Sequence, residues 1–296
     1  MPAIPFLGEL CAMLAPMCWS VAVILYRKTE LPPAAMNLFK NSLAALLLTV
    51  TMLAFGIEVS GERSAADWAM LVGSGLLGLA LADTLLFEGL RRIGAARLAL
   101  VDTTYAPMMV VMAWAFLGER PGAGFLAGAA AVVMGNAVAN VDLRAASGPR
   151  DREFALGLAM AFFAVVGSGA SVIVIKPILE TSDLVEVTWI RLVAGIGGQL
   201  LWLAVRRDGS TIAKAFRPTA EWRTLLPGAV LGTYVALLLW LGGFKWAEAS
   251  VAAVLNQLAT IYIIVLAWAF LGETVSRRQL IGASLAVTGA IVVLVS

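Results

Sequence analysis

Four charged side chains lie inside long apolar stretches of this sequence: Lys40, Asp83, Asp102 and Arg191. A charge at membrane depth is costly, so each must face a cavity, a partner or the membrane interface. Asp83 lies deepest, within Leu-Ala-Leu-Ala-Asp-Thr-Leu-Leu, and could hold a substrate amine, carry a coupling proton or pair with Lys40. Lys40 and Arg191 could line a cavity, but long basic side chains could also reach the interface or bind backbone carbonyls.

Polar and aromatic residues accompany these charges. Asp102 begins Val-Asp-Thr-Thr-Tyr, and Asn256 and Gln257 follow one another in a second apolar stretch. Such clusters favour cavity walls, although hydrogen bonding between helices is the alternative. Aromatic rings within the apolar stretches are further candidates for holding an apolar substrate group. The predicted cavity residues are Trp19, Lys40, Asp83, Asp102, Tyr105, Trp189, Arg191, Asn256, Gln257 and Tyr262.

Composition excludes several classes of function. Hydrophobic residues make up 61% and charged residues 14%, against about 45–50% and 25% in soluble domains, so lipid is the expected solvent. A net charge of +2 gives no sign of nucleic-acid binding. There is no histidine, which removes His-based metal sites and catalytic pairs, and no P-loop motif for ATP occurs. We therefore expect no cofactor and no enzymatic activity.

Ten apolar segments are long enough to cross a membrane, which takes about 20 residues as a helix. The fold predicted is therefore an all-α membrane protein. The segments cover residues 6–26, 34–55, 68–89, 97–117, 122–141, 155–175, 185–205, 224–244, 249–271 and 277–295.

The chain repeats itself. Ala-Trp-Ala-Phe-Leu-Gly-Glu occurs at 113–119 and again at 267–273, a spacing of 154 residues. Internal repeats of this kind indicate duplicated structural units. We expect two five-helix repeats, 1–141 and 155–296, joined by a linker at 142–154. Glycines seven residues apart, two helical turns, suggest close packing of the fifth helix on the tenth. These are Gly128 and Gly135 in the first repeat and Gly282 and Gly289 in the second.

Loop charges predict the orientation. Loops after odd-numbered helices carry 15 Lys and Arg residues and loops after even-numbered helices carry 4. The loops after odd-numbered helices lie on one side of the membrane, which we call the odd-loop face. The loops after even-numbered helices lie on the other side, which we call the even-loop face. Positive loops stay cytoplasmic, so both termini are expected outside, in a plasma membrane such as a bacterial inner membrane. Five helices per repeat invert the second repeat, as in transporters that work by alternating access. Pro107 suggests a bend for gating in the first repeat only, because Ile261 takes its place in the second.

The chain resembles the drug/metabolite transporter superfamily, in its EamA branch. The resemblance rests on ten helices as five plus five, Leu-Gly-Glu closing the fourth and ninth, the glycine pairs, and a basic residue early in the second and seventh helices. Lys40 departs from the Arg usual there, whereas Arg191 matches it. Within the branch, amino-acid exporters of the YddG type are the most similar members. The resemblance implies a secondary transporter that binds a small molecule and functions as a monomer in the bilayer.

These observations predict export of a small metabolite, with amino acids, including aromatic and hydrophobic ones, as the first choice. A zwitterion needs an anionic and a cationic partner, which Asp83 and either Arg191 or Lys40 could supply. One rival is a multidrug exporter of the same fold, since a lipophilic cation needs a deep carboxylate and aromatic rings. The other is an embedded enzyme or scaffold, which the scattered single charges disfavour.

Overall fold

The computed structural model describes residues 5–26, 29–140, 152–272 and 274–296. Within these ranges the chain is helical without any strand, and ten helices are long and apolar enough to cross a membrane. The predicted all-α, ten-helix fold is therefore confirmed. Residues 142–151 of the expected linker, and Glu273 of the repeated block, lie outside the described residues. The helices are α1 Leu7–Tyr26, α2 Pro33–Phe55, α3 Ala65–Ile93, α4 Arg97–Leu117, α5 Ala123–Asn140, α6 Arg152–Ile173, α7 Leu184–Val205, α8 Trp222–Trp246, α9 Ala249–Phe270 and α10 Arg277–Val295.

Local sequence determines where several helices begin and end. Asp183 precedes α7 and accepts the backbone N–H of Val185 at 2.8 Å, which satisfies a donor that the first helical turn leaves free. Gly118 ends α4 with a φ of +74°, and Gly272 follows α9 with a φ of +67°. Glycine reaches this left-handed conformation at little cost, so the glycine of the repeated block stops the helix in both repeats.

Helices α5 and α10 pack closely through small residues. A Cβ on Gly135 would lie 2.5 Å from the carbonyl oxygen of Gly282, and a Cβ on Gly289 would lie 2.6 Å from that of Gly128. Such distances leave room for hydrogen only. The four glycines therefore bring the last helix of one repeat into backbone contact with the last helix of the other.

Two helices are interrupted at equivalent positions of the repeats. α4 divides after Asp102 and resumes at Tyr105, while α9 divides after Asn256 and resumes at Ala259, a shift of 154 residues. The interruption is not confined to the half that contains Pro107, contrary to the expectation from the sequence. In α9 a neighbouring helix takes part, because Asn136 of α5 donates its Nδ2 to the carbonyl oxygen of Gln257 at 2.9 Å.

Helices α3 and α8 each contain a π-helical segment, Leu76–Ala82 and Val230–Val235, and these begin 154 residues apart. A π-helical turn widens the helix locally and is often found at functional sites. Gly78 and Gly232 occupy equivalent places within the two segments. The widened segments of α3 and α8 and the breaks of α4 and α9 thus occupy equivalent places in the two repeats, and these four segments meet in the centre of the protein. A further π-helical segment, Ala113–Leu117 at the end of α4, has no counterpart in the described residues of α9.

Candidate substrate-binding cavity

A cavity of about 350 Å³ lies between the two repeats, where the widened and broken helices meet. This volume falls in the range of small-molecule sites, about 300–1,000 Å³. Eight of the ten predicted cavity residues line it: Trp19, Lys40, Asp83, Asp102, Tyr105, Arg191, Asn256 and Gln257.

The remaining two predicted residues pack elsewhere. Trp189 of α7 donates its indole N–H to the hydroxyl of Thr49 in α2, at 2.9 Å. Tyr262 of α9 is partly buried and packs against the main hydrophobic core. Neither ring is among the residues that line the cavity.

Arg191 is the most deeply buried charge of the cavity, with only 2% of its surface exposed. Its Nη2 donates to the hydroxyl of Ser171 at 3.1 Å, and Trp240 lies with its ring centroid 6.0 Å from the guanidinium carbon. Among the described residues, its Nε and Nη1 have no hydrogen-bond partner. A Cβ on Gly78 would lie 2.6 Å from the Ser171 hydroxyl, so this glycine makes room for the Arg–Ser pair. The buried guanidinium therefore keeps two unused donors in a cavity wall.

Lys40 and Asp83 form an electrostatic pair across the cavity. Each acts on the other, and no further charged side chain of the described chain acts on either. Lys40 also lies over the ring of Trp19, at 5.9 Å from its centroid, and donates to Asn41 Oδ1 at 3.3 Å. Lys40 and Asp83 are therefore each other's charged neighbour, and Asn37 also forms a hydrogen bond with the Asp83 carboxylate.

Asp102 and Tyr105 flank the break in α4. No hydrogen bond or ion pair within the described residues reaches the carboxylate of Asp102, although its backbone carbonyl accepts Nε2 of Gln257 at 3.1 Å. The hydroxyl of Tyr105 is buried and has no hydrogen-bond partner in the described ranges of the chain. Asp102 and Arg191 are the charged groups that act on Tyr105, and all three residues line the cavity.

Asn256 and Gln257 flank the break in α9 and have different surroundings. Gln257 is fixed in place, because its Oε1 accepts from Asn136 at 3.1 Å and its Nε2 donates across to α4. Asn256 has a buried Nδ2 for which the described residues supply no acceptor. Gln257 thus joins α4, α5 and α9, whereas the amide of Asn256 is free to bind a ligand.

Sequence reasoning missed Ser171 and Trp240 as partners of Arg191. Ser171 lies among small residues of α6 and Trp240 lies in an apolar run of α8. Hydropathy does not distinguish the faces of a helix that is apolar all round. The hydroxyl of Ser171 among the small residues of α6 was the one sequence signal that could have indicated a partner for Arg191.

A second cavity, of about 360 Å³, continues from the first toward the odd-loop face. The two share Trp19, Asp102 and Gln257, and the second reaches Thr274 and Val275 in the loop before α10. It lies between the first part of α4 and the second part of α9. This vestibule gives the central cavity a route to the odd-loop face.

The even-loop face is held together by contacts between the repeats. Glu119 follows α4, and its carboxylate accepts the backbone N–H groups of Ala249 at 2.6 Å and Ser250 at 3.0 Å. It also accepts the hydroxyl of Ser250 at 2.5 Å. Since Ala249 begins α9, the glutamate of the first repeated block caps a helix of the second repeat.

Basic side chains strengthen the same face. Lys176 donates to the carbonyl oxygen of Phe244 at 2.9 Å, and Lys245 donates to those of Leu179 and Ser182, both at 2.7 Å. These cations satisfy carbonyls that helix ends leave free. On the same face, Arg63 forms an ion pair with Glu186, and the two side chains are 8% and 4% exposed.

The sequence model of the EamA-like transporter family matches residues 6–141 and 155–295. The chain belongs to the EamA-like transporter family. A solved structure described as "Crystal structure of protein" has the same fold, with a TM-score of 0.81 over 97% of this chain and 96% of that chain, at 20% identity. No curated protein matches the chain.

The two faces of the protein differ, because one has a vestibule and the other has contacts that join helices. This difference can be interpreted now that the chain is known to belong to a transporter family. A transporter must expose its substrate cavity to one face at a time. Here the cavity continues toward the odd-loop face, while capping and ion-pair contacts join helices at the even-loop face. Such an asymmetry is what a conformer open toward the odd-loop face would show. Within the described residues, no group of three or more Cys, Asp or Glu side chains is placed to hold a metal ion.

Proposed function

We propose that this EamA-family protein exports small zwitterionic metabolites, amino acids first, by alternating access through the cavity between its repeats. The observation that carries this proposal is Arg191, a buried guanidinium with two unused donors in the cavity wall. A buried charge without a partner is costly, and a substrate carboxylate would supply the missing acceptor. The geometry of Arg191 therefore favours an anionic group on the substrate.

Both rivals are less well supported. A lipophilic cation would find acceptors at Asp102 and an aromatic surface at Trp19, but it would leave Arg191 without an anion and add a like charge to the cavity. A membrane-embedded enzyme or scaffold has no support in a chain that belongs to a transporter family. We retain the multidrug exporter as the alternative that the experiment must separate from amino-acid export.

The location and assembly of the protein are part of the same proposal. We place it in a bacterial inner membrane, with the odd-loop face cytoplasmic and both termini periplasmic. Of the four basic residues in even-loop segments, Arg63, Lys176 and Lys245 bind acidic groups or carbonyls of the protein, so they count little against this orientation. The chain is divided into repeats 1–141 and 155–296. Because the glycine contact of α5 with α10 lies within one chain, a monomer is sufficient for transport.

The experiment is counterflow of labelled amino acids in proteoliposomes that contain the purified full chain, with and without a pH gradient. We expect exchange of at least one hydrophobic or aromatic amino acid, and at least a 10-fold loss of exchange in Arg191→Gln, because a charge-assisted hydrogen bond contributes about 1.5–3 kcal/mol. Arg191→Lys retains the charge and should retain part of the activity.

Two controls separate the alternatives. Lys40→Gln combined with Asp83→Asn tests whether the second cation is equally important without leaving a buried charge unpaired, and we expect a smaller loss because Lys40 already has Asp83 as its charged neighbour. Efflux of a lipophilic cation such as ethidium that persists in Arg191→Gln, with no amino-acid exchange in the wild type, would establish the multidrug reading instead. A dependence of exchange on the pH gradient would identify proton coupling, and its absence would indicate facilitated diffusion.

A further inference from the structure

The four charged residues of the cavity differ in whether another charged side chain acts on them. Lys40 and Asp83 act on each other and on no other charged group of the described chain. Asp102 and Arg191 have no charged partner there at all, and neither the Asp102 carboxylate nor Nε and Nη1 of Arg191 makes a hydrogen bond. Within the described residues the cavity thus holds one pair of opposite charges that act on each other, together with one acid and one base that have no charged partner.

Tyr105 connects the two free charges. Its electrostatic neighbours are Asp102 and Arg191, and its buried hydroxyl has no hydrogen-bond partner within the part of the chain that the structure describes. A ligand that lies along Tyr105 would therefore meet an acceptor at one end, a donor at the other and a hydroxyl in between. This arrangement complements an ammonium and a carboxylate carried by one small molecule.

Depth in the membrane separates the two charges. Asp102 lies five residues beyond Arg97, where α4 begins at the odd-loop face, and Arg191 lies seven residues beyond Leu184, where α7 begins at the even-loop face. At 1.5 Å per residue they are about 8 Å and about 10 Å inside a core of about 30 Å, which leaves about 12 Å between their backbones along the membrane normal. Charge-assisted hydrogen bonds of about 2.8 Å at both ends allow an α-amino acid to bridge such a gap.

The two repeats carry different charges beside the breaks of α4 and α9. Asp102 and Asn256 occupy equivalent positions, 154 residues apart, beside the breaks of α4 and α9. The first offers only acceptor oxygens when ionised, whereas the second offers a free Nδ2 donor. The acceptor lies toward the odd-loop face and the donor lies toward the even-loop face, on the side of Arg191.

We infer that Asp102, and not Asp83, receives the substrate ammonium, while Arg191 and Asn256 receive the carboxylate, so that the substrate enters from the vestibule carboxylate first. This assignment rests on the proposed function. It gives Asp83 a different role, that of compensating Lys40. It also makes Asp102, which lines both the vestibule and the central cavity, the residue that selects for an amine.

The test is competition against labelled phenylalanine exchange in proteoliposomes by three ligands: phenylalanine, phenyllactate, which lacks the amine, and phenethylamine, which lacks the carboxylate. The variants are Asp102→Asn, which introduces the amide found at the equivalent position of the other repeat, Asp83→Asn as the matched control, and Arg191→Gln. We expect the wild type to prefer phenylalanine over phenyllactate by at least 10-fold. Asp102→Asn should reduce this ratio to about two or less, whereas Asp83→Asn should preserve it.

A purely structural role of Asp102 would lower exchange for all ligands without changing the ratio. Arg191→Gln should leave the amine preference and abolish the preference for phenylalanine over phenethylamine. A ratio that is lost in Asp83→Asn and kept in Asp102→Asn would overturn the assignment while leaving amino-acid transport intact. A wild type that exchanges no amino acid would overturn the proposed function itself, and this assignment with it. If Asp102→Asn does not yield a monodisperse protein, Asp102→Ser and ligand-induced thermal stabilisation give the same comparison.

Discussion

Removing the carboxylate of Glu119 should open the even-loop face. In the structure this carboxylate accepts three hydrogen bonds from Ala249 and Ser250 at the start of α9. Loss of an N-capping acceptor costs about 0.5–2 kcal/mol, and loss of its charge at the positive end of the helix adds about 0.3–1 kcal/mol. A total of about 2 kcal/mol changes the ratio of closed to open conformers about 30-fold, since each 1.4 kcal/mol is a factor of ten. The effect appears as a population shift if the contact breaks when this face opens, which the assay below tests.

The assay is labelling with a membrane-impermeant maleimide. A single cysteine replaces Ala236, which lines the central cavity, in a protein whose Cys11 and Cys18 are alanine. In Glu119→Ala, labelling from the even-loop face should accelerate by about an order of magnitude or more, and labelling from the odd-loop face should slow. Arg120→Ala changes an exposed neighbour and should change neither rate. If Glu119→Ala leaves the rates from both faces unchanged in a well-folded protein, the capping contact does not hold this face closed.

Two predictions concern stability. Gly135→Ala would place a Cβ 2.5 Å from the carbonyl oxygen of Gly282, so we expect an overpacking cost of about 1–3 kcal/mol and a lower melting temperature in detergent. Gly197→Ala, where a Cβ meets nothing within 4 Å, should leave the melting temperature unchanged or raise it. Arg63→Ala leaves Glu186 buried without its cation, which costs about 3–5 kcal/mol, and adding Glu186→Gln should restore part of the lost stability. Equal melting temperatures for the single and double variants would show that the ion pair is not the cause.

The sequence predicted the ten helices well because each depends on length and composition alone. The predicted segment 6–26 corresponds to Leu7–Tyr26, and 277–295 to Arg277–Val295. The break in α9 could not be predicted in this way. Helix α9 contains no proline. Its break involves a hydrogen bond from Asn136 to Gln257, two residues that lie 121 positions apart along the chain. Tertiary contacts of this kind have no local signature in the sequence.

The cavity was predicted in part for a related physical reason. Charges such as Asp83 and Arg191 had to face an interior site, because lipid does not solvate them. Aromatic rings carry no such constraint, so the sequence could not distinguish Trp189, which packs toward α2, from Trp240, which lies near Arg191. The sequence also did not show which charged residues have a charged partner. Asp83 and Asp102 look alike in the sequence, but of the two only Asp83 has a cation that acts on it within the described residues.

The central claim is that Arg191 makes this cavity a site for the carboxylate of a small zwitterion. The most direct measurement is equilibrium binding of a panel of amino acids to the purified protein, compared between the wild type, Arg191→Lys and Arg191→Gln. The account predicts saturable binding to the wild type, weaker binding to Arg191→Lys and a loss of at least 10-fold in Arg191→Gln. Amino-acid binding of equal affinity in the wild type and in Arg191→Gln would contradict it.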